Sequence, residues 1–270
     1  MEHDRNVLFR GAVPENYDRY LGPVIFEPWA EDLVFRLAGR KYERILEIAC
    51  GTGIVTRRLR DALPATTEIV ATDLNPDMFE FAKPKFKKDE NVMWQQADAS
   101  DLPFPNCSFD AAVCQFGVMF VPDKSAAMRE SYRVLRSGGV FLFNVWDSFE
   151  ANPFGQIAHA TIASFFDRDP PSFYKIPFGF HDSTVIQKLL HDAGFEKIES
   201  FAETKSCRSS SAREFAIGLT RGNPVAAEAT ERGVDPENLI DAIAKQISEC
   251  FGDAPVESTM RAIVWQAMKF

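Results

Sequence analysis

Ile45-Leu46-Glu47-Ile48-Ala49-Cys50-Gly51-Thr52-Gly53 reads as a buried strand that runs straight into a glycine turn, with a helix starting at once after it. An apolar run stopped by glycines fits a strand covered on both faces of a parallel sheet. The turn then lies at the carboxyl end of a first strand, where open α/β sheets bind nucleotide-type ligands. The dinucleotide fingerprint asks for a third glycine three residues after the second, and Thr56 stands at that position. Glu47 is a second departure, because a bound pyrophosphate would face its carboxylate. A glycine turn with an acid beside it suits a ligand that is positively charged and carries no phosphate.

Outward from this turn, strand-like and helix-like segments alternate. Residues 44–49 form the first strand, and a helix over 54–63 is ended by Pro64. Residues 67–72 are rich in β-branched side chains and read as the second strand. Asn75 is placed to cap the next helix, with Pro76 at its first position. Residues 91–96 and 109–115 are the third and fourth strands. Asp123 caps a helix that Gly138-Gly139 stops, and residues 140–146 are a fifth, very apolar strand. Residues 183–193 form an amphipathic helix stopped by Gly194, residues 195–204 a sixth strand and residues 260–269 a seventh. Strands alternating with helices imply parallel pairing, so the fold class is α/β with a doubly wound sheet.

Three acids and an amide sit where such a sheet binds ligands. Besides Glu47, Asp73 ends the second strand about 20 residues past the glycines, where an acid accepts ribose hydroxyls. Asp98, after the third strand, can accept from an exocyclic amine such as that of adenine. Gln115 lies at the end of the fourth strand, where its amide or backbone carbonyl can reach the remainder of the ligand. A sulfonium and an α-ammonium would be welcomed by Glu47, which makes S-adenosylmethionine the ligand expected.

Together these stretches resemble the class I S-adenosylmethionine-dependent methyltransferases, and within them the small-molecule group that includes the ubiquinone and menaquinone C-methyltransferases. The resemblance spans residues 17–146. It rests on Leu46 to Gly53, Asp73-Leu74-Asn75-Pro76-Asp77-Met78, Ala97-Asp98-Ala99, Leu102-Pro103-Phe104-Pro105 and Leu135-Arg136-Ser137-Gly138-Gly139. It implies a seven-stranded mixed sheet whose last strand is antiparallel and inserted beside the fifth. It implies that Glu47, Ala49, Gly51 and Gly53 hold the methionine part of the cofactor. Asp73 and Leu74 would hold the ribose and one adenine face, with Met78 nearby, and Asp98 and Ala99 the adenine edge. Tyr17 and Tyr20 match positions where related enzymes lay an aromatic helix over the cofactor.

The acceptor side is less legible. The whole chain, residues 1–270, reads as one methyltransferase domain, with residues 1–40 as N-terminal helices over the cofactor. Residues 148–182 and 206–256 read as cap or substrate insertions. The first insertion holds seven of the 24 phenylalanines, which suggests an aromatic-rich cap over a pocket for an apolar or aromatic small molecule. His181 and Tyr174 are the first candidates for a general base, followed by His159 and Asn144. No Asn-Pro-Pro-Tyr-type motif follows the fourth strand, where Gln115-Phe116-Gly117-Val118 stands, and this argues against methylation of nucleobase or protein amino groups.

Composition narrows the setting. The net charge of -9 lacks the basic footprint of a nucleic-acid binder. No apolar run approaches a membrane span, and no apolar leader is visible at the N-terminus. Five cysteines without a CxxC pair, an odd number, fit free thiols in a reducing cytoplasm. Four scattered histidines support no metal site. The expectation is therefore a cytoplasmic enzyme acting on a small molecule, with a homodimer left open. A nicotinamide-dependent oxidoreductase and a non-catalytic cofactor-binding module stand as alternatives.

Overall fold

The computed structural model describes residues 9–270 of the 270-residue chain. Seven strands form one sheet: β1 (Arg44–Ile48), β2 (Glu68–Asp73), β3 (Val92–Gln96), β4 (Phe109–Gln115), β5 (Leu135–Trp146), β6 (Lys197–Ser209) and β7 (Val256–Met268). Their order is β3-β2-β1-β4-β5-β7-β6. The first five pair in parallel, and β7 lies antiparallel between β5 and β6. This is the mixed sheet that the resemblance implies. Strand order reverses between β1 and β4, so the loops leaving these two strands diverge and open a crevice.

The helices in chain order are α1 (Val13–Asn16), α2 (Glu27–Arg36), α3 (Ile54–Ala62), α4 (Pro76–Ala82), α5 (Lys124–Val134), α6 (Pro153–Ala163), α7 (Ser183–Ala193), α8 (Ala212–Arg221), α9 (Val225–Glu231) and α10 (Pro236–Phe251). Between α1 and α2 the chain takes ten residues of π-helix, Tyr17–Phe26, with Pro23 inside it. Helices α2 and α3 pack together, as do α5 and α7, while α10 packs on both α6 and α8. Trp29, Phe109, Phe141, Phe143 and Trp265 are fully buried at the centre. The apolar strands of the sequence are covered on both sides, which is why they carry no alternation.

Several boundaries differ from the sequence reading. Helix α5 ends at Val134, four residues ahead of Gly138. Leu135 is already extended there, because it pairs with Phe109 of β4 across a bulge. Arg136 adds an ion pair to Asp110 at 2.7 Å. Strand β7 starts at Val256, not at residue 260, and β6 runs on to Ser209, inside the segment read as an insertion. The two strands pair along their whole 13-residue length, and that mutual pairing carries polar residues such as Ser206 and Thr259 into the sheet. Phe195 stays outside β6, where its amide closes the C-terminal turn of α7 on Leu190 after left-handed Gly194.

Candidate functional site

A cavity of about 340 Å³ opens at the carboxyl ends of β1, β2 and β4, beneath the π-helix. Its making begins with backbone strain. Ala49 has φ 55° and Phe116 has φ 52°, conformations that L-residues with a Cβ seldom adopt. Both line the cavity, one at the exit of β1 and the other at the exit of β4. Two hydrogen bonds hold the first exit in place. Cys50 N donates to Thr72 O at 2.8 Å, and Gly51 N donates to Asp73 Oδ2 at 2.9 Å. The second exit is locked sterically, because a Cβ on Gly117 would stand 2.4 Å from that of Ala49. Gly51, with φ 54°, faces the cavity, whereas Gly53, with φ 81°, starts α3 and backs onto Ala82, Phe86 and Trp94.

The acids separate into distinct roles. Asp73 is buried, lines the cavity and also accepts from Asn75 N at 2.8 Å. The Asn75 side chain caps none of the first-turn amides of α4. Burial pushes the Asp73 carboxyl above its usual range, against the pull of these backbone donors. Glu47 lies behind the turn and is not part of the cavity wall. It accepts from Thr56 Oγ1 at 2.6 Å, so the residue in place of the third glycine of a dinucleotide site ties down this acid. Burial pushes the Glu47 carboxyl up to about 8, and the neighbouring Asp73 charge adds to the shift. Asp98 lines the cavity at its exposed edge and takes both Ser100 bonds on Oδ1 alone. Among the described residues no Lys, Arg or His lines the cavity.

Gln115 is also in the wall. Its Nε2 donates to Phe26 O at 3.3 Å, and its buried Oε1 has no partner among the described residues. Tyr17 lies across the cavity on the π-helix, stacked on Phe26 with ring centres 4.4 Å apart. Burial and nearby Asp73 push its phenol pKa upward. Leu74, Met78 and Ala99 complete this end.

The other end is aromatic. Phe154, Phe173, Tyr174 and Phe178 of the cap line it, joined by Trp146, which stacks on Phe116 at 3.9 Å. The other aromatic residues of that segment turn elsewhere: Phe149 stacks on His159, Phe166 meets Arg232, Phe180 meets Lys124, and Phe165 is partly exposed. Tyr174 is buried against the C-terminal end of α8, bonded to Leu219 O and Asn223. Sequence reasoning missed Phe9, Phe120, Leu219 and Asn223 as lining residues. The only signal for Asn223 was the break Gly222-Asn223-Pro224, and nothing local connects it to the first strand.

The structure leaves several expected residues outside this wall. Tyr20, on the same π-helix as Tyr17, sits beside Gly218 of α8, where a Cβ would meet it at 3.0 Å. His181 is also outside, with Nδ1 2.9 Å from Phe178 O. His159 is outside as well, stacked on Phe149, and burial lowers its pKa. Asn144 is fully buried, accepts from Phe116 N at 3.0 Å and so steadies the β4 exit from behind. No helix among the described residues is long and apolar enough to cross a membrane.

Comparison with known proteins agrees with this geometry. Residues 46–143 match the family described as "Methyltransferase domain". A demethylmenaquinone methyltransferase of Staphylococcus aureus is 35% identical over 131 residues, 47% of this chain and 54% of the relative. The match thus spans about half the length of that relative. Among solved structures, the YcgJ protein of Bacillus subtilis superposes with a TM-score of 0.60 at 20% identity, over 90% of this chain and 98% of its own. Phosphoethanolamine N-methyltransferase 2 of Haemonchus contortus, solved with S-adenosyl-L-methionine, gives a TM-score of 0.63 at 17% identity, over 98% of this chain and 59% of its own. Residues 46–143 thus match a methyltransferase domain, the chain resembles the quinone methyltransferase over about half of its length, and it shares its fold with these solved structures.

Proposed function

We propose that this protein transfers a methyl group from S-adenosylmethionine to an O, C or N atom of a small, apolar or aromatic molecule. The observation that carries the reading is the charge pattern of the cavity: Asp73 and Asp98 at one end, no cation among the described lining residues, and an aromatic wall opposite. A cationic donor fits such a site, and the pyrophosphate of a nicotinamide dinucleotide does not. Thr56, in the first turn of α3, also stands where a pyrophosphate site would need glycine.

The residues present fit the donor. Asp73 accepts from Gly51 on Oδ2 and from Asn75 on Oδ1, and ribose hydroxyls would add their bonds to the same carboxylate. Leu74 and Met78 would flank the adenine, and Asp98 Oδ2 with Ala99 would meet its edge. Ala49, Gly51 and the free Oε1 of Gln115 would receive the methionine part, with Glu47 supplying negative charge from behind the turn and Tyr17 closing the site from above. S-adenosylmethionine supplies an electrophilic methyl on a positively charged sulfur. The protein's own contribution is alignment and exclusion of water. Tyr17 and Tyr174 keep their protons at neutral pH, because burial pushes both phenols up, so neither is a base. This suits an acceptor atom that presents a lone pair or is ionised without help.

In the same reading, residues 148–182 and the part of residues 206–256 that lies between β6 and β7 form the acceptor cap over the sheet. The enzyme works in the cytoplasm on a small molecule and not on nucleic acid, alone or as a homodimer. The acidic net charge of -9 supports the absence of nucleic acid. Calorimetry with S-adenosylmethionine, S-adenosylhomocysteine and a nicotinamide dinucleotide tests the donor. Tight dinucleotide binding without S-adenosylmethionine binding would sink the reading. A screen of phenols, quinones and carboxylic acids for release of S-adenosylhomocysteine tests the transfer.

A further inference from the structure

Resting on the methyl-transfer reading, the geometry points to Tyr174 as the residue that selects the acceptor: its phenol oxygen receives one hydrogen bond from a neutral, flat acceptor carrying an O–H or N–H. Tyr174 and Asn223 are 5% and 4% exposed, and both line the cavity at its aromatic end. The phenol O–H donates to Leu219 O. Asn223 Nδ2 donates to Tyr174 Oη at 3.2 Å and to Leu219 O at 2.7 Å, while Asn223 Oδ1 accepts from Val225 N at 3.1 Å. This closed network spends the phenol's one proton and one of its two lone pairs. Tyr174 can therefore accept one further hydrogen bond and give none.

That asymmetry defines the acceptor. A group that only accepts, such as an ether or a carbonyl, finds no donor in the phenol, whose proton is held by Leu219 O. A carboxylate or phosphate finds no cation among the described lining residues, and its desolvation goes unanswered. A flat ring is favoured by the packing around the phenol. Tyr174 lies parallel to Phe178, with ring centres 6.4 Å apart and planes 10° from parallel, and Phe173 meets it edge-on at 5.3 Å. Tyr174 is thus an acceptor-reading group with no part in proton transfer.

The test measures binding of 2-naphthol, 2-methoxynaphthalene and 2-naphthoate to the full chain saturated with S-adenosylhomocysteine. The naphthol is expected to bind at least about fivefold more tightly than its methyl ether, the difference one neutral hydrogen bond makes. The naphthoate is expected to bind most weakly of the three. Tyr174→Phe keeps the ring and removes the lone pair, so it should bring the naphthol down to the affinity of the ether and leave S-adenosylhomocysteine binding unchanged. An ether that binds wild type as tightly as the naphthol, undetectable naphthol binding, or a preference that survives in Tyr174→Phe overturns the assignment. If that variant fails to fold, the wild-type comparison decides alone. Failure of wild type to bind S-adenosylhomocysteine overturns the methyl-transfer reading instead, and the naphthol–ether comparison on unloaded protein still decides the role of Tyr174.

Discussion

The two ends of the cavity hold their polar groups in opposite ways. At the glycine turn, polar atoms stay available: Asp98 uses one oxygen, and Gln115 Oε1 is buried without a partner among the described residues. Under the aromatic cap, Tyr174 and Asn223 are bonded to each other and to the backbone, and the phenol's one proton is held by Leu219 O. An end built to hold one fixed, polar ligand needs open hydrogen-bonding capacity, which leaves buried groups costly until the ligand arrives. An end that selects by shape is better served by satisfied groups and aromatic faces.

The sharpest attempt to break this contrast removes the central acid. Asp73→Ala should weaken S-adenosylmethionine binding by at least about 100-fold, near 3 kcal/mol, since the ribose acceptor is lost and the Gly51 and Asn75 amides are left unpaired. Calorimetry showing wild-type affinity would refute the role. Next comes a pair of glycines. Gly117→Ala places a methyl 2.4 Å from Ala49 Cβ, and Gly155→Ala places one 2.4 Å from Phe178 Cε2. Each should cost about 1–3 kcal/mol of stability by overpacking. The first should also impair donor binding, and the second should impair only acceptor binding. The contrast fails if both variants impair the same ligand.

A smaller effect separates the two acids of the donor end. The Glu47 carboxyl titrates near 8 in the folded chain against 4.5 when free. The folded state therefore holds the proton more tightly, and this group's stabilising contribution, full below pH 4.5, is lost as pH rises to about 8. The slope is at most about 1.4 kcal/mol per pH unit. Glu47→Gln should remove that slope, so thermal melts at pH 8 should favour the variant. The same change should weaken donor binding at that pH, because a bound cation favours the ionised acid. Unchanged pH dependence of the melting temperature would refute this account. The smallest effect belongs to His181→Ala, expected to leave turnover within about twofold, since the ring is bonded to Phe178 O outside the cavity. A large loss would return His181 to the chemistry.

The end at the glycine turn is local in sequence, so its strand, turn and acids could be placed from sequence. Strand, turn and acid follow one another within nine residues from Ile45 to Gly53, and Asp73 and Asp98 recur at the next strand ends by the repeat of the β–α unit. Local reading erred where a partner from elsewhere intervened. Glu47 was expected to face the ligand, yet Thr56, nine residues on, holds it behind the turn. Asn75 was expected to cap α4, yet its side chain bonds to none of the first-turn amides, and its own amide is held by Asp73.

By itself the sequence determined the sheet, the glycine turn and the acids at its strand ends, because each depends on periodicity and on neighbours within one turn of chain. Only the tertiary structure decided which aromatic residues face the cavity, and that Tyr174 meets Asn223 across 49 residues of chain. Burial and hydrogen-bond satisfaction there arise from packing α8 against the cap and the π-helix, and no residue in either segment carries that outcome in its own sequence.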